Sequence, residues 1–358
     1  MSPAQIRRRK AAEQLVEPGL DALLLFGLHN VRYLTGFTGS NAMLLLHRDG
    51  EAELFTDPRY ALQSKQQTDC RVRVAKGKLT KAVLSEIRRR RVGKIGFESD
   101  RLTVAEFEAL KERVPPRVSF VATPGIVENL RMVKDAGEID LIRQSVAINS
   151  NALEAALARV KVGMTEADLA AEIDYRSRRL GAQRPSFDTI VAAGARSALP
   201  HAHPGDARVG RGMLLIDMGA FYGDYASDMT RMVYFGKADS RYKRAYRAVL
   251  DAQLAAIDAV RPGVTAAAVD RAARRTLKLH GLEREFVHST GHGLGLEIHE
   301  APRLGRRDQT PLEAGMTITI EPGVYIEGWG GIRIEDTVLV TGSGFEILTP
   351  TPKDLREL

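Results

Sequence analysis

Leu214-Leu215-Ile216-Asp217 and Ser227-Asp228-Met229-Thr230, followed further along by Thr319-Ile320-Glu321-Pro322-Gly323 and Arg333-Ile334-Glu335-Asp336, are the segments on which the reading of this chain turns. Each is strand-like and apolar on one face, yet each carries an acid where a core residue is expected. Burying such a carboxylate without a partner is costly. A two-residue loop at Tyr222-Gly223 would set Asp217 directly opposite Asp228. A turn centred near Gly328 would do the same for Glu321 and Glu335, unless the Pro-Gly step shifts that register by one.

Like charges directly opposed destabilise a sheet, so two such pairs call for shared protons or for divalent cations. Cations account for both pairs at once, and bridging carboxylates suit ions roughly 3.5–4 Å apart, the spacing of two-metal hydrolytic sites. Solvent-facing acids on edge strands would show the same spacing. The histidines narrow the choice. His288 and His292 lie in the Gly-rich stretch His288-Ser289-Thr290-Gly291-His292-Gly293-Leu294-Gly295, and His299 follows in Glu297-Ile298-His299-Glu300. Imidazole beside carboxylate suits Mn²⁺, Zn²⁺, Co²⁺ or Fe²⁺ better than Mg²⁺ or Ca²⁺. His47 and His280 read as structural.

Around these segments, 358 residues are enough for two domains. Residues 1–125 read as a small α/β domain of alternating helices and strands, closed by the Thr123-Pro124-Gly125 punctuation. Residues 126–358 read as α+β with antiparallel pairs: a long helical pattern over 126–158, a helix opened by Thr165, further helices over 240–260 and 265–280, and strands over 213–221, 225–235, 316–320 and 332–340. No short-period repeat is evident.

Hydrophobic residues at 44% and charged residues at 27% exclude a largely disordered chain. A single cysteine, Cys70, excludes an internal disulfide framework and agrees with a reducing compartment. The first apolar run, 22–28, follows Glu13, Glu17 and Asp21 without a cleavage pattern, and no run approaches the ~20 residues of a membrane helix, so a soluble cytoplasmic protein is expected. A net charge of +7 and basic runs at 7–10 and 88–91 invite a nucleic-acid reading. Both runs lack interleaved aromatics and read as polar helix faces, so no nucleic-acid partner is expected.

On these residues the second half resembles the pita-bread metallopeptidases, which include methionine aminopeptidase, aminopeptidase P and prolidase. The resemblance is carried by Asp217 and Asp228, His292 in Gly-His-Gly-Leu-Gly, Glu321 in Glu-Pro-Gly-Val-Tyr and Glu335 in Arg-Ile-Glu-Asp. It implies a pita-bread catalytic domain behind a smaller creatinase-like N-terminal domain that serves dimerisation and substrate access. It also implies that these five residues hold two divalent ions per subunit, Mn²⁺ foremost. With all five present, the chain differs from members of the fold that have lost their metals. By the same resemblance His201, His288 and His299 are active-site histidines, His201 and His299 near the substrate, while Arg333 supports the carboxylates and Glu321 shuttles protons.

The presence of an N-terminal domain and of the linking segment Leu130-Arg131-Met132-Val133-Lys134 implies aminopeptidase P or prolidase rather than methionine aminopeptidase. No insertion for gripping a dipeptide's carboxylate is evident. Asp57-Pro58-Arg59-Tyr60 resembles a signature of small bacterial aminopeptidases P, although Asp-Pro is also an ordinary turn. The expectation is therefore an Xaa-Pro aminopeptidase acting on proline-containing peptides, with Xaa-Pro dipeptidase as the alternative. A homodimer is expected in which Asp57, Arg59 and Tyr60 line the neighbouring subunit's cleft. A methionine aminopeptidase-like enzyme and a metal-bearing binding module without turnover are the readings from other classes.

Overall fold

The computed structural model describes all 358 residues, which divide into two compact units, Met1–Arg131 and Met132–Leu358. No helix is long and apolar enough to cross a membrane.

The first unit is built on a six-stranded mixed sheet in the order Arg71–Val74, Ala52–Thr56, Ala42–His47, Ala22–Leu25, Lys94–Phe97, Ser119–Ala122. Leu23, Leu24 and Leu25 have no exposed surface, which is why this strand reads as an unbroken apolar run rather than an alternation. Helices Pro3–Glu13 and Val104–Lys111 open with capping boxes, Ser2 with Gln5 and Thr103 with Glu106. The basic runs are not simply solvated faces. Arg8 is buried, donating to the Leu34 carbonyl at 2.8 Å and pairing with Asp69 at 2.7 Å. Arg89 and Arg90 both grip the buried Glu86, and Arg90 also pairs with the buried Glu53 at 2.9 Å. Three arginines of those runs, Arg8, Arg89 and Arg90, are thus paired within the fold.

The helical pattern over 126–158 breaks into Ile126–Met132, which ends at the unit boundary, and Ala136–Leu157, which opens the second unit. The break is Asp135, whose side chain accepts from the Glu138 N–H while the Glu138 carboxylate accepts from the Asp135 N–H, so a new helix starts there. Two helix pairs follow the same plan: Ala136–Leu157 with Glu166–Arg179, and Ser240–Asp258 with Ala266–Leu279. Their connections, Val160-Lys161-Val162-Gly163-Met164-Thr165 and Val260-Arg261-Pro262-Gly263-Val264-Thr265, share Val, a cation, Gly and Thr at the same positions. Gly163 N–H donates to Val209 and Gly263 N–H to Leu312, each at 2.8 Å. The chain thus contains one long-range duplication, invisible to a search for short periods.

The helix pairs flank the sheets that carry the acids. A four-stranded sheet runs in the order Arg356–Glu357, Met229–Phe235, Gly212–Met218, Ile190–Ala193. A five-stranded sheet runs Glu300–Leu304, Gly291–Gly293, Thr317–Ile320, Asp336–Val340, Phe345–Ile347. A third ladder pairs Gly323–Ile326 with Gly330–Arg333.

The first expected register needs correction. The turn is Gly223-Asp224, at φ +55° and +63°, so Asp217 lies opposite Thr230 instead of Asp228. Two consecutive left-handed residues are what a two-residue hairpin loop requires, and Gly and Asp tolerate them better than Tyr222 would. Asp228 stands two residues before Thr230, so period 2 keeps it on the same face. The second register is as expected: Ile320 faces Asp336 and Gly323 faces Arg333, with no slip at Pro322. The expected continuous strands are interrupted at Gly219, Ser227-Asp228, Glu321-Pro322 and Ile334-Glu335, so three of the four acids sit in gaps between ladders.

Gly219 makes one gap possible, since a Cβ there would lie 2.2 Å from the Ser227 carbonyl oxygen and 2.0 Å from Ser186 Oγ. Gly219→Ala should therefore destabilise by about 1–3 kcal/mol, lowering Tm by roughly 3–10 °C in thermal unfolding followed by circular dichroism. Gly210→Ala, where the nearest atom is 3.9 Å away, should stay within about 1 °C; equal Tm values for the two variants would show that the close approach does not constrain the fold.

Candidate metal centre

Asp217, the penultimate residue of the strand Gly212–Met218, has Oδ2 accepting from Arg333 Nη2 at 2.6 Å. Arg333 Nε donates to Thr230 Oγ1 at 2.9 Å, so the Thr230 hydroxyl proton is free to go to Glu335 Oε2, 2.8 Å away. Arg333 thus reaches Asp217 directly and Glu335 through Thr230, at a point where the 217–230 register places both partners. Glu321 Oε1 accepts from Thr319 Oγ1 at 3.1 Å.

His292 completes the cluster, with Nε2 at 3.5 Å from Asp228 Oδ2 and 3.4 Å from Glu321 Oε1. One ligand atom each from Asp228, His292 and Glu335 lies within 4.8 Å of the others. The neighbouring carbonyl of Gly293 is 3.0 Å from His292 Nδ1, and a carbonyl can only accept. The proton therefore belongs on Nδ1, leaving the Nε2 lone pair facing the carboxylates, which is the tautomer a metal ligand needs.

Four carboxylates face one guanidinium in this shell, and the energetics reflect it. Burial, then Asp217 and Glu321, push Asp228 well above the usual carboxylate range; burial, then Asp228, push Glu335 the same way. Burial also raises Glu321, against the pull of His292 and Arg333. Asp217 Oδ1 and Glu335 Oε1 are buried without any partner. Orphaned carboxylate oxygens converging with an imidazole lone pair are the donor set of a divalent cation, so the residues present fit the metal pair expected from the sequence.

The cluster lines a cavity of about 630 Å³ whose wall also includes His201, His288, His299 and Arg303. His288 donates from Nδ1 to the Ser289 carbonyl at 2.8 Å, and its Nε2 lies 2.9 Å from the Tyr325 hydroxyl. That hydroxyl accepts from Arg333 Nη1 at 2.7 Å, so it donates to His288 Nε2. Burial and the Arg333 charge lower His288 to about 4, keeping it neutral. With both ring nitrogens occupied, His288 holds Tyr325 and Arg333 in place. His299 packs edge-on against His292, ring centroids 4.4 Å apart, and burial lowers its basicity, followed by His292 and His201. His201 is exposed at the wall.

Asp57, Arg59 and Tyr60 form a cluster of their own in the first unit. Asp57 accepts from Arg59 Nε at 3.0 Å and from Asn41 at 2.6 Å, while Tyr60 bonds Ser40 at 2.7 Å. Sequence reading did not single out Thr230, Tyr325 or Arg303. Thr230 is two residues from Asp228 in a strand-like segment, so period 2 was a signal that could have found it; the bend at His299 denies Arg303 the same argument.

Residues 140–342 match the model of metallopeptidase family M24, and residues 7–133 match the creatinase/prolidase N-terminal domain. An Xaa-Pro dipeptidase of Pyrococcus furiosus is 36% identical over 350 residues, covering 98% of this chain and 99% of that protein. The solved Xaa-Pro dipeptidase from Bacillus anthracis superposes with a TM-score of 0.96 at 37% identity, covering 99% of this chain and 100% of that one. The X-Pro aminopeptidase from Thermotoga maritima superposes at 0.90, also with 37% identity, covering 97% and 99%. These matches describe the pita-bread architecture behind a creatinase-like domain that the sequence implied. The chain belongs to metallopeptidase family M24 and is a hydrolase of that family.

Proposed function

We propose that the chain is an Xaa-Pro dipeptidase that hydrolyses the bond between an N-terminal residue and a C-terminal proline, with two divalent cations, Mn²⁺ foremost, held by Asp217, Asp228, His292, Glu321 and Glu335. The observation that carries the reading is the pair of orphaned buried oxygens, Asp217 Oδ1 and Glu335 Oε1, inside a shell of carboxylates pushed towards protonation. Cations bound there would supply hydroxide near neutral pH and polarise the carbonyl before proline. Glu321 is the proton carrier between the attacking water and the departing nitrogen. His299, edge-on against His292, would donate to the carbonyl oxygen, and His201 would meet the substrate from the same wall. Proline offers no N–H, so shape and the terminal charges must identify the substrate.

The dipeptide reading is supported by Arg303. Its guanidinium reaches Ser289 Oγ at 3.4 Å, lines the cavity and pairs with no carboxylate, unlike Arg333. A free carboxylate directly after proline would meet it. The sequence expectation of longer peptides rested on the Asp57-Pro58-Arg59-Tyr60 segment and on the lack of an insertion, but an arginine within the strand Glu300–Leu304 needs no insertion. The dipeptidase names of the relatives from Pyrococcus furiosus and Bacillus anthracis weigh the same way. Aminopeptidase P activity is the second reading, favoured by the likeness to the Thermotoga maritima enzyme and by the Asp57-Arg59-Tyr60 cluster. A homodimer in which that cluster lines the neighbouring cleft belongs with it.

Glu335→Gln and Asp217→Asn should each bind less than half the wild-type metal by elemental analysis. Their turnover should fall by ~10²-fold or more, since losing a ligand should exceed the 10–100-fold typical of its outer partners. Full activity in a Glu335→Gln protein free of divalent metal would overturn the assignment. For peptide length, a panel of Xaa-Pro and Xaa-Pro-Yaa should give a kcat/KM at least ~10-fold higher for dipeptides, a difference of about 1.4 kcal/mol. Arg303→Ala should remove most of that margin, while a wild-type preference for tripeptides would return the chain to aminopeptidase P.

A further inference from the structure

We propose that the cavity continues past proline into a basic groove that favours an acidic residue in the next position. The proposal rests on the reading above that Arg303 marks the proline side of an Xaa-Pro site. A second depression, of about 530 Å³, shares His288, Ser289 and Arg303 with the catalytic cavity and is lined beyond them by Arg306 and Arg307. A third, of about 730 Å³, shares Arg274 and Arg306 with the second and is lined by Arg271, Arg275 and Lys278. The last three recur at positions 271, 275 and 278 of the helix Ala266–Leu279, a spacing that puts them on one helical face. Three adjoining depressions thus lead outward from Arg303 along a line of cations.

The local acids do not cancel that line. Asp270 is buried and committed to Arg274 at 2.8 Å and to the Thr290 amide and hydroxyl. Glu283 lies 3.8 Å from Arg306. Asp308 accepts from the backbone N–H groups of Arg303 and Thr310. Arg271, Arg275, Lys278 and Arg307 are exposed and carry no ion pair. A dipeptide ends at Arg303. Any residue beyond proline would extend towards Arg306 and Arg307, where a carboxylate gains attraction and an ammonium group meets repulsion, both screened over about 10 Å at 0.1 M salt.

The test uses the Mn²⁺-loaded protein and three amidated tripeptides, Ala-Pro-Glu, Ala-Pro-Gln and Ala-Pro-Lys, so that the third side chain carries the only variable charge. Each competes against Ala-Pro hydrolysis, and the inhibition constants are compared. At low ionic strength the Glu peptide should bind about fivefold or more tighter than the Lys peptide, with Gln between, since each exposed pair contributes only a small factor. The gap should narrow in high salt, fall below about twofold in Arg306→Ala/Arg307→Ala, and invert in Arg306→Glu/Arg307→Glu. Equal constants in the wild type, no competition by any tripeptide, or a gap that survives charge reversal would each overturn the proposal. Which peptide length is turned over faster does not enter the comparison, so a failed dipeptide reading is seen separately. Should Ala-Pro not be hydrolysed at all, the same order is read by direct calorimetric titration.

Discussion

Asp217, Asp228, Glu321 and Glu335 are gathered in one enclosed shell, and enclosure is what makes their mutual repulsion matter. In water the solvent would screen four carboxylates from one another; in a buried site each raises the cost of ionising the next. A sheet could not carry them as directly opposed ladder pairs. The chain resolves this by opening the ladders at the acids. The Glu321 N–H leaves its hairpin partner and donates to the Thr290 carbonyl at 2.7 Å, while the Glu335 N–H donates to the Thr230 carbonyl at 3.3 Å. Each acid stays satisfied in its backbone while its side chain turns into the cavity.

The residues that receive those N–H groups are themselves gripped by buried ion pairs. Thr290 gives its amide and hydroxyl to Asp270, which pairs with Arg274. On the other side, Arg231 donates to the carbonyls of Thr230 and Glu335 at 3.0 and 2.5 Å and pairs with Asp336, which also receives Gln253 and Lys353. Buried pairs of this kind contribute little net stability over a packed apolar core, but removing one partner leaves a stranded charge. Their effect is to fix where two glutamate backbones lie, and so where the cavity's donors point.

Orientation of the histidines follows from the same economy of partners. The carbonyls of Gly293 and Ser289 take the Nδ1 protons of His292 and His288. That single backbone choice gives His292 a lone pair aimed at the acids and leaves His288 to accept from Tyr325. Two imidazoles four residues apart thereby acquire different work, one facing the carboxylate shell and one bracing the guanidinium that holds it.

Much of this was legible without coordinates. Acids at core positions of strand-like segments, three histidines in and beside a Gly-rich stretch, and the motifs around Asp217, His292, Glu321 and Glu335 depend only on local order, and local order is what a sequence carries. Even the mistaken register around Gly223 kept Asp217 and Asp228 on one face, because a two-residue error preserves strand parity. The parts decided by tertiary structure join residues far apart in the chain. Thr230 linking Arg333 to Glu335 and Tyr325 linking His288 to Arg333 depend on which side chains reach one another, a matter of angle and distance that spacing does not encode. Arg303 looks like any exposed strand arginine until the fold sets it in the cavity wall without a counter-ion. By itself the sequence determined the acids, the imidazoles and their shared face; only the tertiary structure decided which of them are paired, braced or left open, because pairing needs convergence in space.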